Sequence, residues 1–367
     1  MLRQLPTLLL LLLAVACNNT PKQAPSIDRF ADCIHHWYLV HEVGSIERLA
    51  DDDYRAIADN LLAYQNEDGG WPKNMDWLGK IDIDSVKQTL TPYSGRSTFD
   101  NRNIHPQIAY LAEVYTLTGK RAYRDAAQRA IDYTLDHQYP NGSWIGWEDE
   151  AIAYNDGIID GILRVWKQIL ADDPNYRWVD DATRRRIQAS WDAGLRLILD
   201  TQYVQRGVKT VWAQQYDQQT LQPVKARTYE LPSLTANESA DIVLFLMSIE
   251  NPSAEIIEAV HAAVAWFEAN KLEGKRIETI PMPEGNPEDT TIKWERRILD
   301  DPAAEPLWAR FYELDDNTIF LCNRDGVKVY SLAEVWPERR IGYAWYGTWG
   351  NEVLRQYPQW KAQLNNE

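Results

Sequence analysis

Cysteine and phenylalanine are scarce in this sequence, and positive charge falls short of negative. Only three cysteines occur in 367 residues, at positions 17, 33 and 322. In an oxidising compartment Cys33 and Cys322 could pair, although two isolated thiols more often stay free. Lysine and arginine number 38 against 54 aspartates and glutamates, a formal charge of −16. That deficit argues against a nucleic-acid partner, which needs a basic surface, yet says little about any one cleft. Beyond the N-terminus no apolar run is long enough to cross a bilayer. His35, His36 and His41 lack cysteine or acidic partners at zinc spacings and read as structural or surface residues. Neither a phosphate-cradling glycine loop nor a nucleophile elbow is present.

The N-terminus itself is more telling. Arg3 precedes LLLLLLAVAC (8–17), too short for a spanning helix but suited to a signal peptide. The run ends in Ala14-Val15-Ala16-Cys17 and leads into the polar NNTPKQAP. It resembles a bacterial lipoprotein signal, with residues 1–17 as the signal, a lipid on Cys17 and residues 18–27 as a tether; plain secretion is the alternative. The expected location is the bacterial cell envelope, facing periplasm or cell surface. Membrane contact is then expected only through the lipid anchor, and the protein is expected to be a monomer.

Sixteen tryptophans and nineteen tyrosines stand against six phenylalanines. Such rings pack helices, and their faces also stack on sugars in wide, wet clefts. A weak repeat organises several of them. YQNEDGGW (64–71), HQYPNGSW (137–144) and TQYVQRGVKTVW (201–212) each place a glutamine at a helix end, then a glycine-bearing loop, then a tryptophan. Their spacing is that of a helical hairpin with its loops. Between them apolar residues recur at helical intervals: Ile104/Ile108/Leu111/Tyr115, Ala127/Ile131/Leu135, Ile158/Ile162/Val165/Ile169 and Ile187/Trp191/Leu195/Ile198. Ile242/Phe245/Ile249 and Ile256/Val260/Val264/Phe267 continue the series, and TGK and ENPS separate partners. The pattern predicts a mainly α, α/α toroid-like fold, an incomplete barrel of antiparallel hairpins with its helical core at about 100–270. From about 275 to 350 it gives way to an irregular, partly β elaboration. There IETIPMPEGNPEDTT reads as a loop, and LWARFYELDDNTIFLCNRDGVKVYS reads as short strands. Residues 26–98 are mixed, and 28–360 read as a single catalytic region.

Each hairpin goes out along one helix and returns along the next, so its first and last residues share one end. FDN (99–101), YND (154–156) and KARTYELPS (225–233) each precede an outgoing helix. Asp100, Asn101, Asn155, Asp156, Lys225 and Arg227 are therefore expected on one rim. Taken singly, the Asp/Asn pairs also read as helix N-caps. Carboxylate and amide oxygens suit a hard cation such as Ca²⁺. Calcium beside an arginine points to an acidic sugar: metal on a uronate carboxylate acidifies the adjacent ring proton, a base removes it, and the glycosidic oxygen leaves by β-elimination.

Eight motifs in order carry a resemblance over roughly residues 55–350: FDN, QYPNG-W, ND before a helix, KAR-YELPSL---ES, LFLMSI--PS-EI, DPAAEPLWARFYEL, RDG-K-Y and ERR-GYAWYG. The chain resembles the family 10 pectate lyases, which act on polygalacturonate. That resemblance implies Ca²⁺-assisted anti β-elimination of an acidic polysaccharide, with Arg227 as the base and 4,5-unsaturated products. It implies that Asp100, Asn101 and Asp156 belong to the metal centre. Lys225, Asn155, Arg324, Arg340 and Tyr343 are implied on the substrate, the arginines by bidentate pairing with carboxylates. The sequence departs from the family pattern at Arg102, His105, Gly157 and Tyr216, and Arg102 is expected to compete with the cation at Asp100. Two other readings stay open: a glycoside hydrolase with Asp100 and Asp156 as its acid/base pair, and a non-catalytic carbohydrate-binding lipoprotein.

Overall fold

The computed structural model describes residues 23–42, 44, 46–80, 82–89, 94–146 and 151–364. The signal, Cys17 and residues 18–22 of the tether lie outside them. Among the described residues the helices are α1 (Ala31–Trp37), α2 (Tyr54–Tyr64), α3 (Ile83–Thr89), α4 (His105–Thr118), α5 (Arg121–Asp136), α6 (Ile158–Leu170), α7 (Asp181–Thr201), α8 (Ala236–Met247), α9 (Ala254–Ala269), α10 (Pro337–Gly342) and α11 (Trp349–Leu364). The apolar series of the sequence fall on α4 through α9. Ile104 stands at the N-cap of α4, and Ile249 lies just past α8, where the turn before Ser253 begins.

Consecutive helices pair as α4 with α5, α6 with α7 and α8 with α9. Alternate helices also touch, α4–α6–α8 forming one row and α5–α7–α9 the other, with α2 and α11 packed at the two ends. The first row buries most of its circumference, whereas α5 and α7 keep a polar outer face. This is the mainly α, toroid-like arrangement that the spacing predicts. The punctuators act as chemistry requires. Gly119 adopts φ 71° and its N–H closes α4 on the Tyr115 carbonyl at 2.7 Å, while Ser253 caps α9 by accepting from the Ile256 N–H.

The glutamine–glycine–tryptophan repeat is a clamp. Gln65 donates from Nε2 to the carbonyls of Gly69 in its own loop and Ala126 on α5, both at 2.8 Å. Gln138 does the same to Gly142 and Ser190 of α7, and Gln202 to Thr210 and Ala259 of α9. Each glutamine thereby ties a returning helix to the next one in its row. The tryptophans then pin the loop: Trp71, Trp144 and Trp212 donate from Nε1 to the carbonyls of Leu61, Thr134 and Ile198. Gly142 is obligatory here. Its φ is 90°, and a Cβ would sit 2.3 Å from the Ala193 carbonyl oxygen.

The C-terminal elaboration corrects one expectation. The segment read as a loop from IETIP onward begins inside a seven-residue strand, Lys275–Pro281, paired antiparallel with Trp294–Asp300. Both strands are half-exposed and carry mixed polarity, so their alternation is too shallow to see in the sequence. The short strands are found as expected. Phe311–Tyr312 pairs with Ile319–Cys322 on one side and with Leu234–Thr235 on the other. That last pairing matters for function, because Leu234–Thr235 leads directly from the 225–233 loop into α8. A second core of Tyr229, Phe311, Phe320, Leu321, Cys322, Leu332, Val335, Tyr343 and Trp345 packs beneath this junction. Cys33 and Cys322 are both buried free thiols, one in each core. Among the described residues no helix is long and apolar enough to cross a membrane.

Candidate active site

One cleft of about 510 Å³ gathers Asp100, Asn101, Asn155, Asp156 and Arg227 with Lys73, Asn74, Gln214, Gln215, Glu230 and Arg310. The rim inference is thus met by five of its six residues. Lys225 is exposed and lies outside the cleft walls. The helix-capping alternative fails for both acidic loops. Ile104 and Gly157 occupy the N-cap positions of α4 and α6, and neither helix has a side-chain cap. What the acidic loops hold instead is strain. Of ten non-glycine residues with positive φ among those described, five border this cleft or precede it by a few residues: Asn74, Asn101, Arg102, Ile104 and Asp156.

The two carboxylates face each other. Burial first, then the charge and hydrogen bond of Asp100, push Asp156 up to about 7. Asn155 donates from Nδ2 to Asp156 at 2.9 Å, and Lys73 is ion-paired with Asp100. Around this pair the Asn155 Oδ1, Gln214 Oε1 and Gln215 Oε1 atoms are buried without a donor. Two carboxylates forced to share a proton, beside unmet amide oxygens, are the donor set of a hard cation. Among the described residues no group of three or more His, Cys, Asp or Glu side chains converges as a metal cage. The protein supplies an open, two-carboxylate site.

A stability prediction follows from Asp156. Between the ordinary carboxylate range near 4 and about 7, the unfolded chain has released the proton that the folded protein keeps. Stability from this group is therefore fully present below about 4 and is lost as pH rises through 7. The thermal midpoint of metal-free protein is expected to fall over that window, and the fall to vanish in Asp156→Asn. A midpoint insensitive to the substitution at every pH contradicts the shared proton.

Arg227 stands across the cleft. It donates to Glu230 from Nε at 2.7 Å, from Nη2, and from its backbone N–H at 3.1 Å. Among the described residues Nη1 has no acceptor, and the side chain is 60% exposed. Burial alone would lower its pKa, but Glu230 and the Tyr229 and Tyr343 rings hold it well above the ordinary arginine value. Glu230 responds in the opposite sense. Burial works against its charge, yet Arg227 and the Tyr343 hydroxyl bring it down to about 2.

More guanidinium groups surround the same rings. Arg227, Arg324 and Arg339 lie 5.0, 5.5 and 5.0 Å from the Tyr229 ring centre, and Arg310 lies 4.8 Å from that of Tyr343. Glu338 bridges Arg324 and Arg339, each at 2.7 Å. In a chain this acidic, so dense a cationic face is made for anions.

Three sequence expectations need correction. Arg340 is turned away from the cleft: it is buried against Glu295, Glu288 and the Ala333 carbonyl, and its neighbour Arg339 faces Tyr229 instead. One residue on a helix is a rotation of about 100°, and α10 is too short for its phase to be read from sequence. Tyr343 is buried, donating its hydroxyl to Glu230 at 2.7 Å, so it supports the site from beneath. Arg102 does not compete at Asp100. Its Nη2 pairs with Asp241 at 2.8 Å, and its Nη1 would lie 2.9 Å from a Cβ on Gly157, so the two departures fit one another. Tyr216 is also buried, accepting from the Ala213 N–H at 2.6 Å. A larger cavity of about 780 Å³ opens between α1, α4 and α6; Arg29 pairs there with Glu113, Arg102 with Asp241 and Arg164 with Asp160, just as Arg227 pairs with Glu230, Arg310 with Glu238, and Arg324 and Arg339 with Glu338.

Lys73, Gln214 and Arg310 were not singled out by sequence reasoning, and a signal for them exists. Each follows a clamp tryptophan by two positions: Trp71, Trp212 and Trp308, whose Nε1 donates to the Phe267 carbonyl. Gly146 bears the same relation to Trp144 and also lines the cleft. The motif WAxxY occurs twice, at 212–216 and 308–312, with the tyrosine hydroxyl accepting from the alanine N–H in both.

The family model for pectic acid lyases matches residues 65–354. Among solved structures, an aspartate-to-alanine mutant of a family 10 polysaccharide lyase from Cellvibrio cellulosa, in complex with trigalacturonic acid, is similar with a TM-score of 0.69 and 31% identity over 83% of this chain and 92% of that one. A family 10 polysaccharide lyase from the same organism gives 0.69 and 28% identity, over 92% and 98% of the two chains. No curated protein matches the chain.

Proposed function

The chain belongs to the pectic acid lyase family, family 10 of the polysaccharide lyases, and on that footing we propose that it cleaves polygalacturonate by β-elimination with Arg227 as the base. One observation carries this reading: a carboxylate pair and a guanidinium whose Nη1 has no acceptor among the described residues share a cleft that Lys73 and Arg310 also line.

The residues divide the work by their chemistry. Arg310, Arg324 and Arg339 receive the carboxylates of successive uronate units, the Tyr229 ring backing Arg324 and Arg339 and the Tyr343 ring backing Arg310. Asp100 and Asp156, with Asn101 and the amide oxygen of Asn155, would hold Ca²⁺. Bound there, the cation would neutralise the substrate carboxylate and so acidify the proton on the neighbouring ring carbon. In the small fraction that has already lost a proton to solvent, Arg227 takes that C5 proton at Nη1, the C5–H electron pair becomes the C4–C5 double bond, and the C4–O bond breaks with the oxygen leaving on the opposite face and taking a proton from water.

The hydrolase alternative is disfavoured by geometry. Glycosidase carboxylates stand about 5 Å or more apart, whereas Asp100 is near enough to raise Asp156 through both its charge and hydrogen bonding. Incubation of the soluble protein with polygalacturonate and Ca²⁺ at alkaline pH tests the proposal. Elimination yields a conjugated end absorbing in the near ultraviolet. Reducing ends without that absorbance point to hydrolysis, and intact polymer that is bound but uncut points to a binding protein.

We also propose attachment to the bacterial cell envelope through a lipid on Cys17, motivated by the Ala-Val-Ala-Cys terminus of the apolar run. In a bacterial host Cys17→Ala is expected to move the protein from the membrane to the soluble fraction. An unchanged membrane fraction overturns the anchor.

A further inference from the structure

We propose that Glu230 is a positioning residue for the elimination: its carboxylate, backed by the Tyr343 hydroxyl, fixes the Arg227 guanidinium so that Nη1 faces the substrate. This rests on the reading of Arg227 as the base.

The geometry is specific. Glu230 is 3% exposed and receives Arg227 three times, from the backbone N–H, Nε and Nη2. The turn between them is closed on both sides, the Glu230 N–H donating to the Arg227 carbonyl and the Ala226 N–H to the Glu230 carbonyl, each at 2.9 Å. Behind the carboxylate, Tyr343 donates at 2.7 Å and Gln214 at 3.3 Å. With Nε and Nη2 committed to one carboxylate, the guanidinium plane cannot rotate. The only nitrogen left over is Nη1, on the exposed side.

Stability alone does not account for this construction. An ion pair whose arginine is mostly in solvent adds little to folding, and burying a carboxylate is costly unless it is fully satisfied. A hydrophobic residue under the loop would serve packing as well. What a buried, five-fold satisfied carboxylate adds is aim, and catalysis is sensitive to misplacement of a reacting group by an ångström. The surroundings make the need acute. Arg310 shares the Tyr343 ring with Arg227, and Arg324 and Arg339 share the Tyr229 ring with it. Without Glu230 the like charges push Arg227 out of the cleft.

Kinetics on polygalacturonate with the full soluble protein and Ca²⁺ test the assignment. In Glu230→Gln, kcat is expected to fall about 100-fold although loss of the carboxylate also frees more Arg227 from its charged form, while KM stays within about threefold and the thermal melt remains cooperative. Glu230→Asp is expected to recover part of the loss, because it restores a carboxylate at shorter reach. Tyr343→Phe, which keeps the ring and removes only the hydroxyl, is expected to lower kcat about fivefold with KM unchanged, and it decides the matter where Glu230→Gln fails to fold. A kcat in Glu230→Gln within threefold of wild type overturns the role, as does Tyr343→Phe turnover equal to wild type. If the wild-type protein forms no unsaturated product, or Arg227→Ala turns over normally, the reading of the base falls first and this role with it.

Discussion

Arg227→Ala is expected to reduce kcat on polygalacturonate by about 1000-fold, within the range for loss of a general base, while KM changes little. Binding survives because Arg310, Arg324 and Arg339 form the cationic wall independently of Arg227. The pH dependence carries a second, sharper expectation. Glu230 and the two tyrosine rings hold Arg227 in its charged form, so only a minute fraction is able to accept a proton near neutrality. The logarithm of kcat should therefore climb with pH at close to unit slope, without levelling before about pH 10. A plateau near pH 7 to 8 would assign the proton to another group, and undiminished turnover in the alanine variant would remove Arg227 from the chemistry altogether. Arg227→Lys is not a conservative control, since an ammonium cannot make the paired contact to Glu230 while presenting a second nitrogen.

The sequence discloses the helices and the rim for a common reason: both follow from periodicity. Once α4, α6 and α8 are read as outgoing partners, the loops at 99–101, 154–156 and 225–233 must converge, and they do. Side-chain direction is not periodic in that sense. Lys225 and Arg227 are two apart in an extended loop, and only backbone turning decides which of them enters the cleft. Arg339 and Arg340 are adjacent on a helix of six residues, where no apolar stripe fixes the phase. Arg310 escapes for another reason. It follows a long β insertion, and Asn270 stands at the preceding helix end where the other repeats have glutamine, so the repeat that announces it looks broken. The physical rule that restores it is the indole bond: a tryptophan whose Nε1 reaches back to a helix carbonyl fixes the chain just ahead, and the residue two positions on is delivered to the cleft. Tyr343 and Glu230 illustrate the remaining gap. Both are buried polar residues whose purpose lies in what they hold, and burial of that kind is set by tertiary packing between the cap and the 225–233 loop.

Removal of divalent metal is expected to abolish elimination, lowering the rate by about 1000-fold or more, with restoration by Ca²⁺. The reason lies in the Asp100–Asp156 pair. Without a cation the two carboxylates share a proton, which neutralises half of the site and leaves the uronate carboxylate facing residual negative charge. With a cation the proton must leave. Uptake of Ca²⁺ should accordingly release protons below about pH 7 and bind more tightly as pH rises through that value, the direction required by the raised Asp156. Calorimetry in two buffers of different ionisation enthalpy reads that proton directly. Asp156→Ala is expected to lose both the proton release and the turnover, whereas Lys73→Met, which unpairs Asp100 without touching the carboxylates, is expected to tighten Ca²⁺ binding by removing a competing cation. Full activity after exhaustive chelation would overturn the metal role, and with it the explanation for two facing acids. Their proximity would then have to be read as a protonated pair serving the substrate directly. That alternative makes the opposite prediction, a rate that declines as pH rises through 7.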